Sequence, residues 1–378
     1  MNQGWNLKKI VIIILAAAGI FCADFIFERH QKNVVSTTPY PYIFQKDLYD
    51  GLEVDAPIVI IGDRLGDRLG SFSKLMAKRI SQNLSKPIKI QNLAQKGEGL
   101  HRTLKKLKSL NKQPLIIIYL GSSQEHYEKR FKTSEIPTIK KNLKLFSDDR
   151  VQTLLMVFPE LSRYIYHPVD YVKLSQDLIE DKEEYDQIST QKRNEITFKL
   201  FESEVDELIT YAKDRNSYFL AISAPINLDV PPKSSCPGSF DESFRAKLDN
   251  VIELIKKKDY KLAYSISKEL ALINNSNARS HFIHGKIAKK LGKDQEALKH
   301  LELAAAFDCD NWRSSPVYNS ILKRTADKHD AAFFDLHALL QDNASKGVVF
   351  MDDIYPQNLY LEKTANTIAD RIKKLLKL

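Results

Sequence analysis

Five short apolar runs, separated by helical stretches, constrain the fold more than any other feature of this chain. Most of the runs carry their apolar residues consecutively, which is typical of strands buried on both faces of a parallel sheet. They are IVIIG at 58–62, IKIQNL at 88–93, LIIIYLG at 115–121, YFLAISAP at 218–225 and AAFFDL at 331–336. Helical stretches at 71–84 and 100–110 connect the first three. We therefore expect right-handed crossovers and an α/β fold with a doubly wound, parallel, five-stranded sheet.

Two long segments interrupt the alternation of strands and helices. Residues 135–213 are charged and mostly helical in pattern, and residues 240–310 have the pattern of a helical insertion. The sheet domain is then expected in two parts, 56–239 and 311–378. Ligands bind such sheets at the C-terminal ends of the strands. The residues that follow each strand are therefore the candidates for a site.

The second insertion has small residues at the spacing of a tetratricopeptide unit. Gly285, Ala297 and Ala304 would let two antiparallel helices approach closely, and Ala263 lies thirty-four positions before Ala297, the period of that repeat. We expect one or two units resembling this repeat, and an ordinary helical hairpin is the alternative. In either case residues 240–310 offer a surface for a protein partner or pack against the sheet domain.

Three cysteines in 378 residues exclude a small disulfide scaffold. Cys236 and Cys309 flank the second insertion. Outside the cytoplasm they would be able to pair and close its base. Two free, buried thiols are the equal alternative.

The N-terminus combines a charged start with a short apolar run, as secretory signals and signal anchors do. Residues 10–23 carry no charge, and Lys8 and Lys9 precede them. Phe21 stands where a cleavage site needs a small residue. We therefore favour an uncleaved transmembrane anchor at 10–27 over a cleaved signal.

This anchor would place the rest of the chain on the periplasmic or other extracytoplasmic side of a membrane. Residues 1–9 would stay in the cytoplasm, and residues 28–55 would form a linker.

The chain has 57 basic and 48 acidic residues, which gives a net charge of +9, but the two signs alternate along most of it. This pattern favours a solvated surface over a basic face. No nucleic-acid motif is present, so we expect no nucleic-acid partner.

The residues after the strands resemble the SGNH/GDSL hydrolase superfamily. The first strand continues into GDRLGDRLGSF at 62–72, the second is followed by Gly97, the third leads into LGSSQEHY at 120–127, and the fifth is followed by FMDDIYPQN at 350–358. Members of the superfamily carry Gly-Asp-Ser, a glycine, Gly-x-Asn-Asp and Asp-x-x-His-Pro at these four places. Their order and spacing together carry the resemblance.

The resemblance covers most of the soluble chain, over residues 56–235 and 311–378. The segments APINLDVPPKSS at 224–235 and SPVYNSILKRTADKHDAAFFDL at 315–336 are similar to the branch of the superfamily with a tetratricopeptide-like insertion. That branch places its insertion between these two segments, where residues 240–310 lie here.

The catalytic positions that the resemblance implies are changed. Arg64 replaces the serine nucleophile, Tyr355 replaces the histidine base, and Ser123 replaces the oxyanion asparagine, while Gly97 and Asp352 are kept. A guanidinium cannot attack an ester. A phenol with a pKa near 10 is a poor base at neutral pH. The resemblance therefore implies a pseudoenzyme.

Two roles are open for Arg64. Together with Arg68, Asp63 and the backbone amides of a helix N-terminus, it would hold a carboxylate, a phosphate or an acidic glycan. Alternatively it fills the inactive pocket and pairs with Asp63, Asp352 or Asp353.

We expect no cofactor and no metal. His101 opens the second helix, and His126 follows the third strand, where it would have a small chance of acting as a base. His281 and His284 are three residues apart in the insertion, and His300 follows, but no cysteine or carboxylate completes a recognisable metal site.

The resulting prediction is a membrane-anchored, envelope-facing SGNH/GDSL hydrolase-like protein without catalytic activity. It would act as a binding or scaffold module, in cell-envelope glycan metabolism by fold analogy alone. The alternatives are an active esterase with non-standard catalytic residues and a partner-binding protein that uses residues 240–310.

Overall fold

The chain forms two units, residues 1–43 with 137–170 and residues 44–136 with 171–378. In this computed structural model the described residues are 53–126 (without 83, 85 and 86), 136–146, 148, 150, 151, 154, 187–235, 242–310, 312–376, and 11–25 (without 13, 17 and 24).

All five predicted strands form, and they make one parallel sheet in the order β2-β1-β3-β4-β5. The strands are β1 Ile58–Gly62, β2 Ile90–Asn92, β3 Ile116–Leu120, β4 Tyr218–Ile222 and β5 Ala332–Phe334. The α/β class and the parallel sheet are therefore confirmed. The central strands β1 and β3 are buried along their whole length, as their uninterrupted apolar sequences predict.

The helices follow the strands in the predicted alternation. They are α1 Arg64–Gly70, α2 Ser73–Ile80, α3 Leu100–Lys108, α4 Ile136–Phe146, α5 Gln187–Asp214, α6 Glu242–Lys256, α7 Tyr260–Ile273, α8 Ala278–Lys290, α9 Asp294–Ala306, α10 Pro316–Lys328, α11 Leu336–Ala344 and α12 Asn358–Leu375.

Helices cover both faces of the sheet. On one face α1, α2, α11 and α12 share a core with alternate strand residues such as Ile58, Ile60 and Ile118. Val59 and Ile117 point the opposite way because strand side chains alternate. On that face α3 contacts β1, while α5 and α10 contact β4. This arrangement is a doubly wound sheet.

The first helix begins earlier than the helical pattern at 71–84 predicts. Arg64 starts α1 directly after β1, because the carboxylate of Asp63 accepts the amide hydrogen of Leu65 and caps the helix. Ser71 then lies at the C-terminal end of α1, and Ser73 begins α2.

The second insertion consists of α6 to α9, and each of these helices packs against the next along the chain. A Cβ atom added at Gly285 would lie 2.8 Å from Leu301 Cγ and 3.2 Å from the Ala297 carbonyl oxygen. The small residue at this position therefore permits the close approach of α8 and α9. The likeness of this helix pair to a tetratricopeptide unit stays a prediction.

The base of this insertion is held by polar contacts. The carboxylate of Asp308 accepts the amide hydrogens of Lys233 and Ser234 at 3.2 and 3.1 Å. Cys309 is disulfide-bonded and Cys22 is a free cysteine. Cys236, the partner that we predicted for Cys309, lies outside the described residues.

The predicted helical segment 135–213 contains α4 and α5, and most of the residues between them lie outside the described part.

Residues 11–25 are helical wherever they are described. Among the described residues no helix is both long enough and apolar enough to cross a membrane. The anchor predicted over 10–27 therefore finds no support in the structure. Residues 1–9 and 28–52 lie outside the described part.

Replacing Gly62 with alanine is expected to destabilise the fold strongly. Gly62 ends β1 with φ +130°, and an added Cβ would overlap the carbonyl oxygen of Leu120 on β3. We expect Gly62→Ala to lower the free energy of unfolding by roughly 2–4 kcal/mol in urea titrations, through backbone strain and overpacking. Gly347→Ala is the control, because its Cβ would meet nothing within 4 Å. Equal stability of Gly62→Ala and Gly347→Ala would contradict the close packing of Gly62 against the Leu120 carbonyl oxygen.

Candidate functional site

The C-terminal edge of the sheet brings the predicted site residues from different strands together. Asp63 and Arg64 follow β1, and Ser123 follows β3, its neighbour in the sheet. Tyr355 comes from the loop between α11 and α12. That loop is closed by an antiparallel bridge between Phe350 and Pro356, which presents Tyr355 within a tight turn.

Asp63 is the polar centre of this edge. Its side chain is 1% exposed, and one carboxylate oxygen accepts the amide hydrogen of Leu65 at 2.8 Å. The other oxygen accepts both the amide and the hydroxyl hydrogen of Ser123, each at 2.6 Å. Burial raises the pKa of Asp63 to about 6, although these hydrogen bonds act in the opposite direction.

Ser123 donates both its amide and its hydroxyl hydrogen to the buried carboxylate of Asp63. Neither donor therefore serves the oxyanion position that the resemblance assigns to this residue. Its neighbour Ser122 has φ +82° and lies 3.3 Å from the hydroxyl oxygen of Ser314. The segment after β3 is thus held by polar contacts on both sides.

Arg64 and Arg68 stack on the same aromatic ring. The guanidinium carbon of Arg64 lies 4.6 Å from the centre of the Tyr355 ring, and that of Arg68 lies 5.2 Å from it. The two arginines are four residues apart on α1, so they lie on one face of the helix. A cation over an aromatic face is worth about 0.5–2 kcal/mol, depending on its exposure.

Among the described residues, these two guanidinium groups have no carboxylate partner. Arg68 donates to Asn358 Oδ1 at 2.8 Å and contacts Met351 Sδ at 3.0 Å. Within the described residues, neither Arg64 nor Arg68 forms an ion pair. The alternative that Arg64 pairs with Asp63, Asp352 or Asp353 is therefore wrong. The carboxylate of Asp63 binds Ser123 instead.

Asp352, another aspartate considered as a partner of Arg64, shapes the turn before Tyr355 instead. Its Oδ1 accepts the amide hydrogens of Ile354 and Tyr355 at 2.8 and 2.6 Å, which shapes the turn. Asp352 therefore positions Tyr355 through the backbone and does not act on its phenol as a triad acid would act on a histidine. Asp353 is exposed beside it.

Tyr355 is buried to 8% exposure, and this burial raises the pKa of its phenol. The positive charge of Arg64 acts in the opposite direction, while the charges of Asp63 and Asp352 add to the rise. The phenol therefore stays protonated at neutral pH and is unsuited to act as a general base.

The segment after β2 keeps the predicted glycine. Gly97 has φ +79°, a conformation that favours glycine, and Arg102 donates to its carbonyl oxygen. Next to it, the buried side chains of Glu98 and Lys106 form an ion pair. Lys106 also donates to the carbonyl oxygen of Leu93 at 2.7 Å. A buried charge network therefore fixes this loop.

The remaining predicted candidates have other partners. His126 Nε2 lies 2.7 Å from the hydroxyl of Tyr318 on α10, and burial lowers the pKa of His126 to about 3. His101 is buried on α3, near Glu125 and Glu204. Ser71 donates its hydroxyl to the backbone of Arg68.

No family model, curated protein or solved structure matches the chain. The resemblance to SGNH/GDSL hydrolases therefore depends on the residues described above.

Two contacts of the site were not evident from the sequence. The carboxylate of Asp63 binds the segment after β3, and Asn358 binds Arg68 from the start of α12. The sequence around Asp63 indicates only its role as an N-cap of α1, since an aspartate between a strand and a helix is a common N-cap, and not its contact with Ser123. Asn358 left no signal in the sequence, because it approaches Arg68 only through tertiary packing.

The raised pKa of Asp63 predicts a pH-dependent stability. Between about pH 4 and 6 the folded protein holds a proton that the unfolded chain has lost, so stability falls as pH rises through this window. Asp63→Asn cannot titrate. We therefore expect the stability of the native protein relative to Asp63→Asn to fall by up to about 3 kcal/mol from pH 4 to 7, measured by urea unfolding.

The exposed Asp342 on α11 provides the control for this measurement. Stability relative to Asp342→Asn should change much less over the same range. A constant difference between the native protein and Asp63→Asn would contradict a buried carboxylate with a raised pKa at this edge.

Proposed function

We propose that this protein is a catalytically inactive relative of the SGNH/GDSL hydrolases that binds an anionic group at the C-terminal edge of its sheet. The observation that carries the proposal is the pair Arg64 and Arg68, stacked on Tyr355 without a carboxylate partner among the described residues. Such a pair supplies positive charge and several hydrogen-bond donors where a hydrolase of this type would place its nucleophile and base.

Three features support the loss of catalysis. Arg64 carries no nucleophilic atom, and the phenol of Tyr355 keeps its proton at neutral pH. Ser123 donates both of its hydrogen bonds to Asp63. Catalysis by such a triad needs its nucleophile and base together. Among the described residues, Ser267 contacts a histidine, but it lies in the insertion and is 1% exposed. The active-esterase alternative therefore has less support.

The charge and shape of the arginine pair favour a carboxylate or phosphate ligand. A guanidinium is planar and offers parallel N–H donors that match such groups. Arg64 and Arg68 are half-buried, and Arg68 is already oriented by Asn358. Less side-chain entropy is then lost when an anion binds.

We take an acidic glycan of the cell envelope as the ligand class, by analogy with a superfamily that often acts on acylated glycans. The apolar N-terminal segment and its lysines would tether the protein to a membrane, with the sheet domain outside the cytoplasm. The disulfide of Cys309 is in keeping with an oxidising compartment. The helices α6 to α9 would remain available for a protein partner.

The anion site can be tested by calorimetric titration with sulfate and glucuronate. We expect the native protein to bind at least one of them, and Arg64→Gln and Arg68→Gln each to weaken binding by about tenfold or more, because each removes a charge-assisted contact. Arg324→Gln is the matched control, since Arg324 is exposed and paired with Glu202. Absence of binding, or equal binding by all variants, would remove the basis of the proposal.

Catalytic inactivity is tested separately with aryl acetates. We expect hydrolysis by the native protein to equal that of Arg64→Gln, both at the background rate, since no serine hydroxyl in the described part of this edge contacts a histidine ring. Turnover well above background that a single substitution at this edge abolishes would establish an esterase instead.

A further inference from the structure

Three histidines and one carboxylate meet between helices α8 and α9 of the insertion. His281 and His284 lie one turn apart on α8, and Glu296 and His300 lie one turn apart on α9. His281 and His284 are buried, and Glu296 and His300 are half-buried. None of these residues belongs to the edge that carries Arg64.

The potential ligand atoms of His284, Glu296 and His300 are close enough to share one metal ion, and His281 adjoins His300. His284 Nε2 lies 3.2 Å from Glu296 Oε1, and the atoms offered by His284, Glu296 and His300 all lie within 4.8 Å of one another. His281 Nδ1 lies 2.8 Å from His300 Nδ1. In a tetrahedral zinc site with bonds of about 2.0–2.1 Å, neighbouring ligand atoms are about 3.3 Å apart. Small side-chain adjustments would therefore suffice.

Other groups hold the far side of these side chains. His281 Nε2 donates to the carbonyl oxygen of Asn275 at 2.8 Å, and His284 Nδ1 lies 2.9 Å from the hydroxyl of Ser267. Tyr264 donates its hydroxyl to the carboxylate of Glu296 at 2.8 Å. Metal-binding histidines and carboxylates have outer partners of this kind, which orient the ligand atoms.

The histidines are suited to donate lone pairs at neutral pH. Burial lowers the pKa of His281 and His284, and burial with the neighbouring histidines lowers the pKa of His300 to about 4. Because His281 gives its Nε2 hydrogen to a carbonyl, its neutral ring carries the lone pair on Nδ1, which faces His300. Glu296, whose pKa is lowered, supplies the negative charge.

We propose that His281, His284, His300 and Glu296 bind a divalent transition-metal ion, Zn²⁺ by ligand type, between α8 and α9. Three imidazoles and a carboxylate are a set that zinc accepts. The ion would cross-link the two helices that pack most closely in the insertion. The alternative is a cluster held by hydrogen bonds alone.

This proposal revises the sequence-based expectation of no metal. The spacing of the three histidines was visible, but Glu296 follows His284 by twelve positions and reaches it only through the packing of α8 against α9. The packing of α8 against α9 therefore brings the carboxylate of Glu296 to the histidines, although the sequence pattern shows no carboxylate next to them.

The test is zinc titration of the purified, chelator-treated full chain in competition with a chromophoric chelator. We expect His300→Gln to abolish one equivalent of binding, or to weaken it by at least about tenfold. Glu296→Gln should act in the same direction with almost no change of shape. His329→Gln is the control, because His329 contacts Asp206 outside the insertion. The midpoint of thermal unfolding should rise with zinc in the native protein and in the control, and not in the two cluster variants.

Two results would overturn the proposal. One is a native chain that takes up no zinc in the competition assay. The other is zinc binding by Glu296→Gln and His300→Gln that is as tight and as stoichiometric as in the native protein, which would place the ion elsewhere. If His300→Gln does not fold, as judged by circular dichroism, Glu296→Gln decides the question.

Discussion

The buried carboxylate of Asp63 joins three parts of the sheet edge, and the arrangement of the site depends on it. It caps α1, binds the segment after β3 through Ser123, and follows Gly62, which allows the close approach of β1 and β3. Because Asp63 is turned inwards, it does not neutralise Arg64. No carboxylate of the described residues pairs with Arg64 or Arg68, so their positive charge remains available at the edge, where both stack on Tyr355.

Most of the fold was predictable because its strands are coded by consecutive apolar residues. All five strands formed where those runs stand, and all except β1 are shorter than their runs, since the ends leave the sheet for other partners. After β4, for example, the amide of Ala224 donates to Asn319 instead of to a strand. Helix α1 was not predicted from the sequence, because Gly66 and Gly70 have a low intrinsic helix propensity. Its cap at Asp63 and its close packing against β2 and β3 outweigh that preference.

The site was predictable only in part. The meeting of Arg64 with Tyr355 follows from the resemblance, which assigns both positions to one site. The partners of the aspartates did not follow, because a carboxylate binds whichever donors the turn presents, and here those are Ser123 and the backbone around Tyr355. The approach of Glu296 to His284 likewise depends on how two helices pack, which spacing along the chain does not reveal.

The central claim is that a pair of unneutralised guanidinium groups has replaced a catalytic centre. A crystal of the protein soaked with sulfate tests it most directly. The account predicts a sulfate ion between Arg64 and Arg68 at the C-terminal edge of the sheet, with Asp63 still bound to Ser123. It would be contradicted by crystals in which Arg64 pairs with an aspartate and no anion binds, or in which a serine hydroxyl at this edge contacts the ring of a histidine.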